Sequence, residues 1–85
     1  MAALSFDETL TLMMALVAER PLETREIAQG IDSSREHAYY VANTLRVSGA
    51  LEKPRYGHWT ITEKGRIACA LAMHQDRSLR TAFFD

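Results

Sequence analysis

The chain has 85 residues, of which 47% are hydrophobic and 25% charged, and its formal net charge is −1 at pH 7. This length supports one domain, placed at residues 1–85, with enough apolar residues for a modest core. The ordinary aromatic content and charge do not suggest disorder. The single cysteine, Cys69, excludes an internal disulfide and a cysteine-based metal cluster, and it favours a reducing, cytoplasmic compartment.

The first predicted element is a helix that Ser5 or Asp7 caps and that Arg20-Pro21 ends, because proline cannot continue it. Its apolar residues cover more than half of its circumference. This pattern indicates either a central core helix or a helix with one side covered by a second chain. The apolar residues are Leu10, Leu12, Met13, Met14, Ala15, Leu16 and Val17.

A short helix and a longer one are predicted next, separated by a tight turn. Thr24 is expected to cap the short helix and Gly30 to end it. Residues 32–34 form the turn, and the longer helix runs over residues 34–47 with Ser33 or Ser34 as its cap. Short helix, turn and longer helix in this order make a helix-turn-helix at about residues 24–48.

The longer helix has two unlike faces. Apolar residues recur at helical spacing on one side and predict a buried stripe: Ala38, Val41, Ala42 and Leu45. The opposite side carries side chains that hydrogen-bond at fixed geometry, as DNA groove-reading residues do. They are Glu36, Tyr40 and Asn43, flanked by His37, Tyr39, Thr44 and Arg46.

A β-hairpin is predicted at about residues 51–62. Gly57 supplies the turn, Pro54 restricts the first strand to a sheet edge, and Trp59 is expected in the core. Positive charge concentrates around this region, since residues 33–66 sum to +3 whereas residues 1–32 sum to −4. A basic segment that also holds the polar helix face favours a nucleic-acid partner.

A final helix is predicted over about residues 63–76, with Thr62 as its cap. Its inward stripe is expected to be Ile67, Ala68, Leu71 and Ala72, with Cys69 beside it as a buried small hydrophobe. The tail, residues 77–85, contains Leu79, Phe83 and Phe84, and is too apolar to be left unpacked. It either closes a monomeric core over the first helix or joins that helix in a homodimer.

Three strings in this order resemble the winged helix-turn-helix regulators of bacteria: T-R-E-I-A-Q-G-I, then N-T-L-R-V-S-G-A-L-E, then H-W-T-I-T-E-K-G-R. Regulators of the multiple-antibiotic-resistance type and small fimbrial-operon regulators are examples. The resemblance spans roughly residues 6–74 and implies a mainly helical α+β fold in the order α-α-α-β-β-α. It also implies that the longer helix enters a major groove and that the hairpin, the wing, reaches the adjacent backbone or minor groove.

Carried over by position, the resemblance implies DNA contacts from the recognition helix and from the wing. The helix residues are Ser34, Arg35, His37, Tyr39, Tyr40, Asn43, Thr44 and Arg46, and the wing residues are Lys53, Arg55, Tyr56 and His58. One of the two tyrosines, Tyr39 or Tyr40, can instead pack over the wing. Arg35 and Arg46 can instead be solvated or pair with Glu36 and Glu52.

The predicted function is sequence-specific binding of double-stranded DNA to regulate transcription, with a homodimer as the common way to double the site. The rival interpretation is a protein-interaction module, favoured by Glu36 on the outward face. We expect no enzyme activity and no cofactor or metal, because the sequence lacks a phosphate loop, a nucleophile elbow and paired metal ligands. We also expect no membrane span, since no apolar run reaches ~20 residues.

Overall fold

Four helices and three short strands make up residues 4–75, the part of the chain that the computed structural model describes. The strands form one antiparallel sheet in the order β1-β3-β2. The mainly helical class with a small hairpin is confirmed, and β1 is an element that the sequence did not indicate. The bounds are α1 Phe6–Ala18, β1 Leu22–Glu23, α2 Thr24–Gly30, α3 Arg35–Val47, β2 Leu51–Arg55, β3 His58–Ile61 and α4 Glu63–Gln75.

Helix α1 begins at a reciprocal cap. The Glu8 amide donates to Ser5 Oγ over 3.1 Å, and the Ser5 amide donates to Glu8 Oε1 over 2.8 Å. Two threonines, Thr9 and Thr11, are buried together with the apolar residue Leu12. Their hydroxyls donate to backbone carbonyls four residues earlier, which satisfies both groups inside the core.

The predicted cap of α2 is wrong. The helix begins after Glu23, whose amide donates to Glu26 Oε1 over 3.0 Å. The Thr24 hydroxyl instead accepts a hydrogen bond from Trp59 Nε1 at 2.9 Å. The Thr24 side chain, which the local sequence predicts as the helix cap, therefore bonds to Trp59 of the sheet instead.

Helix α3 follows its prediction closely. Ser34 is the cap, with its Oγ accepting from the His37 amide at 3.1 Å, and Gly49 has the left-handed φ of 90° expected after the helix. The predicted stripe is buried in full: Ala38, Val41, Ala42 and Leu45. It packs in one cluster with the fully buried Trp59, which confirms the indole as core.

The predicted inward stripe of α4 is wrong at its two largest residues. Ile67 and Leu71 are each 55% exposed, whereas Gly65 and Cys69 are buried. A Cβ on Gly65 would overlap the Ala50 carbonyl oxygen, so the helix backbone lies directly against the segment before β2. This close approach sets the rotation of α4 and turns the larger side chains outward.

The side chain of Cys69 is a buried hydrophobe, as predicted, and burial raises the pKa of its thiol. Thr62 caps α4 as expected, its Oγ1 accepting from the Gly65 amide at 3.0 Å. The predictions for residue 76 and for the tail at 77–85 lie outside the described residues.

Candidate nucleic-acid interface

Most of the predicted helix contacts lie on the exposed face of α3. Tyr40 is 69% exposed and stands near the middle of this face. Asn43 and Tyr39 are half-buried at its edges. The exposed predicted residues are Ser34, Arg35, His37, Tyr40, Thr44 and Arg46.

Several of these side chains are already held by neighbours. His37 Nε2 lies 3.1 Å from Asp7 Oδ2 on α1, and Arg46 Nε donates to Asn43 Oδ1 over 3.0 Å. Within residues 4–75 the arginines of α3 form no ion pair with Glu36 or Glu52, so that alternative is not what the structure shows. Arg46 and Asn43 instead present a joined guanidinium and amide at one end of the face.

Tyr39 is the tyrosine that packs over the wing. Its ring lies edge-on to Trp59, with centroids 5.4 Å apart at an interplanar angle of 70°, and 5.9 Å from the Tyr56 ring. Its hydroxyl accepts a hydrogen bond from Lys53 Nζ at 3.1 Å. Tyr40 is thereby the tyrosine left to face outward.

The wing is a tight hairpin whose two-residue turn is Tyr56-Gly57, with Gly57 at a φ of 78°. His58 joins both sides of this turn. Its Nδ1 lies 3.2 Å from the Tyr56 carbonyl, and its Nε2 lies 3.2 Å from Arg55 Nη2. Because the carbonyl only accepts and the guanidinium only donates, the two contacts match the tautomer that carries its proton on Nδ1.

A groove of about 580 Å³ separates the start of α3 from the wing and from the start of α2. Its charges are balanced, because two arginines and two glutamates line it. Arg25 Nη2 lies 3.2 Å from Glu23 Oε2. The groove brings together four of the predicted residues, Arg35, Tyr39, Tyr56 and His58. The full lining is Glu23, Thr24, Arg25, Arg35, Glu36, Tyr39, Tyr56, Gly57 and His58.

Sequence reasoning missed three residues of this lining that bear polar groups, Glu23, Thr24 and Arg25. The available signal was the first helical turn of α2, where exposed polar residues precede the inward Ile27 and Ala28. Two other predicted residues, Arg46 and Lys53, line a second groove of about 500 Å³ on the far side of β2, together with Glu52. Six of the twelve predicted residues thus line one groove or the other.

No protein-family model and no functionally curated protein matches the chain. Solved structures do. The MarR family protein Rv2887 of Mycobacterium tuberculosis superposes with a TM-score of 0.78 at 23% identity, over 93% of this chain and 59% of that one. The same protein in complex with DNA gives 0.78 at 23%, over 93% and 61%.

The fold is a winged helix. IdeR of T. acidophilum shares it, with a TM-score of 0.69 at 16% identity over 99% of this chain and 41% of that one. The chain therefore spans less than two thirds of the length of the winged-helix proteins it matches. In this fold α2 and α3 are the helix-turn-helix pair and β2–β3 is the hairpin of the wing, which is the element order that the sequence predicted.

Residues 4–75 hold no cluster of three or more histidine, cysteine or acidic side chains placed to bind a metal ion. Over the same range, none of the helices combines the length and apolar composition needed to cross a bilayer. Polar side chains on α3 and the wing, rather than a ligand cluster, thus define the candidate site.

Proposed function

We propose that the chain binds double-stranded DNA sequence-specifically and regulates transcription, without catalysis, in the cytoplasm. The observation that carries this proposal is the exposed face of α3, centred on Tyr40, beside a wing that presents Arg55. Polar and aromatic side chains on an exposed, capped helix can reach base edges in a major groove. The winged-helix protein of M. tuberculosis that was crystallised with DNA supports the same partner.

The proposed contacts are of two kinds, to base edges and to phosphates. Tyr40 and the joined Asn43–Arg46 pair read base edges. Arg35 at the start of α3 and Arg55 on the wing contact phosphates, and Arg25 across the groove is a further phosphate contact. The proposed DNA interface also includes Ser34, His37, Tyr39, Thr44, Lys53, Tyr56 and His58.

Selection from a random duplex pool, followed by fluorescence titration at several salt concentrations, tests the proposal. We expect one duplex family to be enriched, with an affinity that falls as salt rises, because phosphate contacts release counterions. Tyr40→Ala should reduce discrimination between sequences by about 1–3 kcal/mol. Arg35→Gln is the matched comparison and should weaken all duplexes about equally. Absence of enrichment at low salt, together with a flat salt dependence, contradicts DNA binding.

A protein partner is the second candidate function, and the balanced charge of the groove favours it. Glu23 and Glu36 line that groove together with the two arginines, and an acidic side chain repels a phosphate backbone. A docking surface for a protein tolerates such mixed charges. Failure of the duplex selection would leave this candidate as the better one.

We also propose that the chain forms a homodimer, with a second copy as the occupant of the apolar surface on α1 and α4. Phe6 and Val17 on α1 and Ile67 and Leu71 on α4 are exposed, and these helices pack against each other. Two copies related by two-fold symmetry would read two half-sites.

A further inference from the structure

The ammonium of Lys53 lies within a group of three aromatic rings. Its Nζ is 5.4 Å from the centroid of Tyr39, 5.3 Å from that of Tyr56 and 5.7 Å from that of Trp59. It also donates a hydrogen bond to Tyr39 Oη over 3.1 Å. The three ring faces carry negative potential and the Tyr39 hydroxyl oxygen accepts the hydrogen bond, so all four interactions attract the same cation.

The rings come from different elements. Tyr39 belongs to α3, Tyr56 to the wing turn and Trp59 to β3. Trp59 is fully buried, and its indole is hydrogen-bonded to Thr24 at the start of α2. Lys53 therefore connects the recognition helix and the tip of the wing to a buried, anchored ring.

The neighbouring wing cation is held differently. Arg55 is exposed, whereas Lys53 is half-buried, and a register irregularity in the β2–β3 pairing lies between Glu52 and Arg55. The Arg55 guanidinium contacts His58 of the same hairpin. The two cations, two residues apart, thus have separate surroundings: one bridges the wing and the helix, and the other stays on the wing surface.

We infer that Lys53 is a positioning residue, which fixes the wing relative to the recognition helix by holding Tyr39, Tyr56 and Trp59 around its ammonium. This inference rests on the proposed DNA binding and assigns Lys53 a role other than phosphate contact. A wing ordered before binding costs less conformational entropy when it meets the duplex. The cation contributes to affinity through this ordering, while Arg55 contributes through charge.

Matched variants of the full chain separate the two roles. Lys53→Gln removes the cation from the rings, and Arg55→Gln removes the exposed cation from the same hairpin. We expect Lys53→Gln to raise the Kd roughly three- to tenfold, because one or a few side chains must then be ordered during binding. The slope of log K against log salt should be unchanged. Arg55→Gln should lower that slope by about 1, the value for one lost phosphate contact. Lys53→Arg keeps a cation able to stack on the rings and should restore most of the affinity.

A double-mutant cycle with Tyr56→Leu tests the same contact in the free protein by thermal unfolding. If Lys53 is held by the rings, the combined variant should lose less than the sum of the two single Tm shifts. Additive shifts, or a salt slope lowered by about 1 in Lys53→Gln, overturn the inference. If the intact protein binds no duplex, the DNA proposal fails by itself, and the cycle still decides whether Lys53 holds the wing to the helix.

Discussion

At the scale of single residues, Thr24 connects elements that are distant in the chain. Its Oγ1 accepts from Trp59 Nε1 at 2.9 Å and donates to the Gly57 carbonyl at 3.4 Å, while its amide donates to the same carbonyl at 3.0 Å. One hydroxyl therefore satisfies the buried indole and helps to fix the turn of the wing. Thr24 therefore links α2 to the wing, whereas the sequence predicted only a helix cap.

Thr24→Val keeps the shape of this side chain and removes its hydroxyl. The buried indole N–H is then left without a partner, so we expect the free energy of unfolding to fall by about 1–3 kcal/mol in urea titrations. Thr60→Val on the same strand as Trp59 is the control and should stay within about 0.5 kcal/mol of the parent. Equal losses in the two variants would contradict the bridging role.

A second residue-scale prediction concerns Glu26. Two hydrogen bonds from the Arg20 guanidinium, of 2.6 and 3.0 Å, with a further one from the Glu23 amide, lower the pKa of Glu26 from 4.5 to about 2. A depressed pKa in the folded state stabilises the fold above pH 4.5, and this contribution is lost as the pH falls through about 2.

Glu26→Gln removes the titrating group. We expect the parent to lose more stability than Glu26→Gln between pH 6 and pH 2, measured by urea unfolding at each pH. The other carboxyl groups are common to both proteins, so the difference between the two pH profiles isolates Glu26. Parallel profiles would show that the Arg20 pair contributes nothing to acid sensitivity.

At the scale of elements, the contact between α4 and the segment before β2 depends on one glycine. A Cβ on Gly65 would overlap the Ala50 carbonyl oxygen and lie 2.8 Å from Ile61 Cγ1. Backbone atoms cannot move aside as a flexible side chain can. The rotation of α4, and with it the outward direction of Ile67 and Leu71, follows from this approach.

Gly65→Ala should therefore destabilise the protein although alanine favours helices. We expect a loss of about 3 kcal/mol, at the upper end for overpacking, measured by urea unfolding. Gly57→Ala is a useful comparison, because nothing lies within 4 Å of its Cβ position and only its positive φ opposes the change. That variant should lose about 1–2 kcal/mol. A neutral Gly65→Ala would contradict the close approach.

At the scale of the whole molecule, exposed apolar residues lie on α1 and α4, two helices that pack against each other. Phe6, Val17, Ile67 and Leu71 form this set. Apolar residues exposed on neighbouring helices are typical of interfaces between chains. These four residues are the structural support for the proposed second copy.

We expect the intact chain to sediment as a dimer. Leu71→Glu should weaken the association by at least about tenfold, because a charge buried in the interface would replace an apolar contact. Val47→Glu is the matched control, since Val47 is also exposed but lies on α3. Its dimer should be unchanged. A chain that sediments as a monomer both alone and on its selected duplex would refute the dimer.

The sequence by itself determined the order of the helices and the hairpin, the cap Thr62, the choice of Ser33 or Ser34 as the cap of α3, and the buried stripe of α3. These features depend on contacts within about one helical turn or on alternation along one strand, so periodicity and capping residues predict them. The two unlike faces of α3 were predictable for the same reason, since which residues share a face follows from helical geometry.

Only the tertiary structure decided β1, the rotation of α4, the bridging role of Thr24 and the surroundings of Lys53. Each depends on a partner far along the chain: Thr24 and Trp59 are 35 positions apart, and Lys53 and Tyr39 are 14 apart. The two residues of β1 pair with β3 across a similar separation. Local propensity contains no information on such partners, because packing and hydrogen bonding between distant segments override it once the chain is folded.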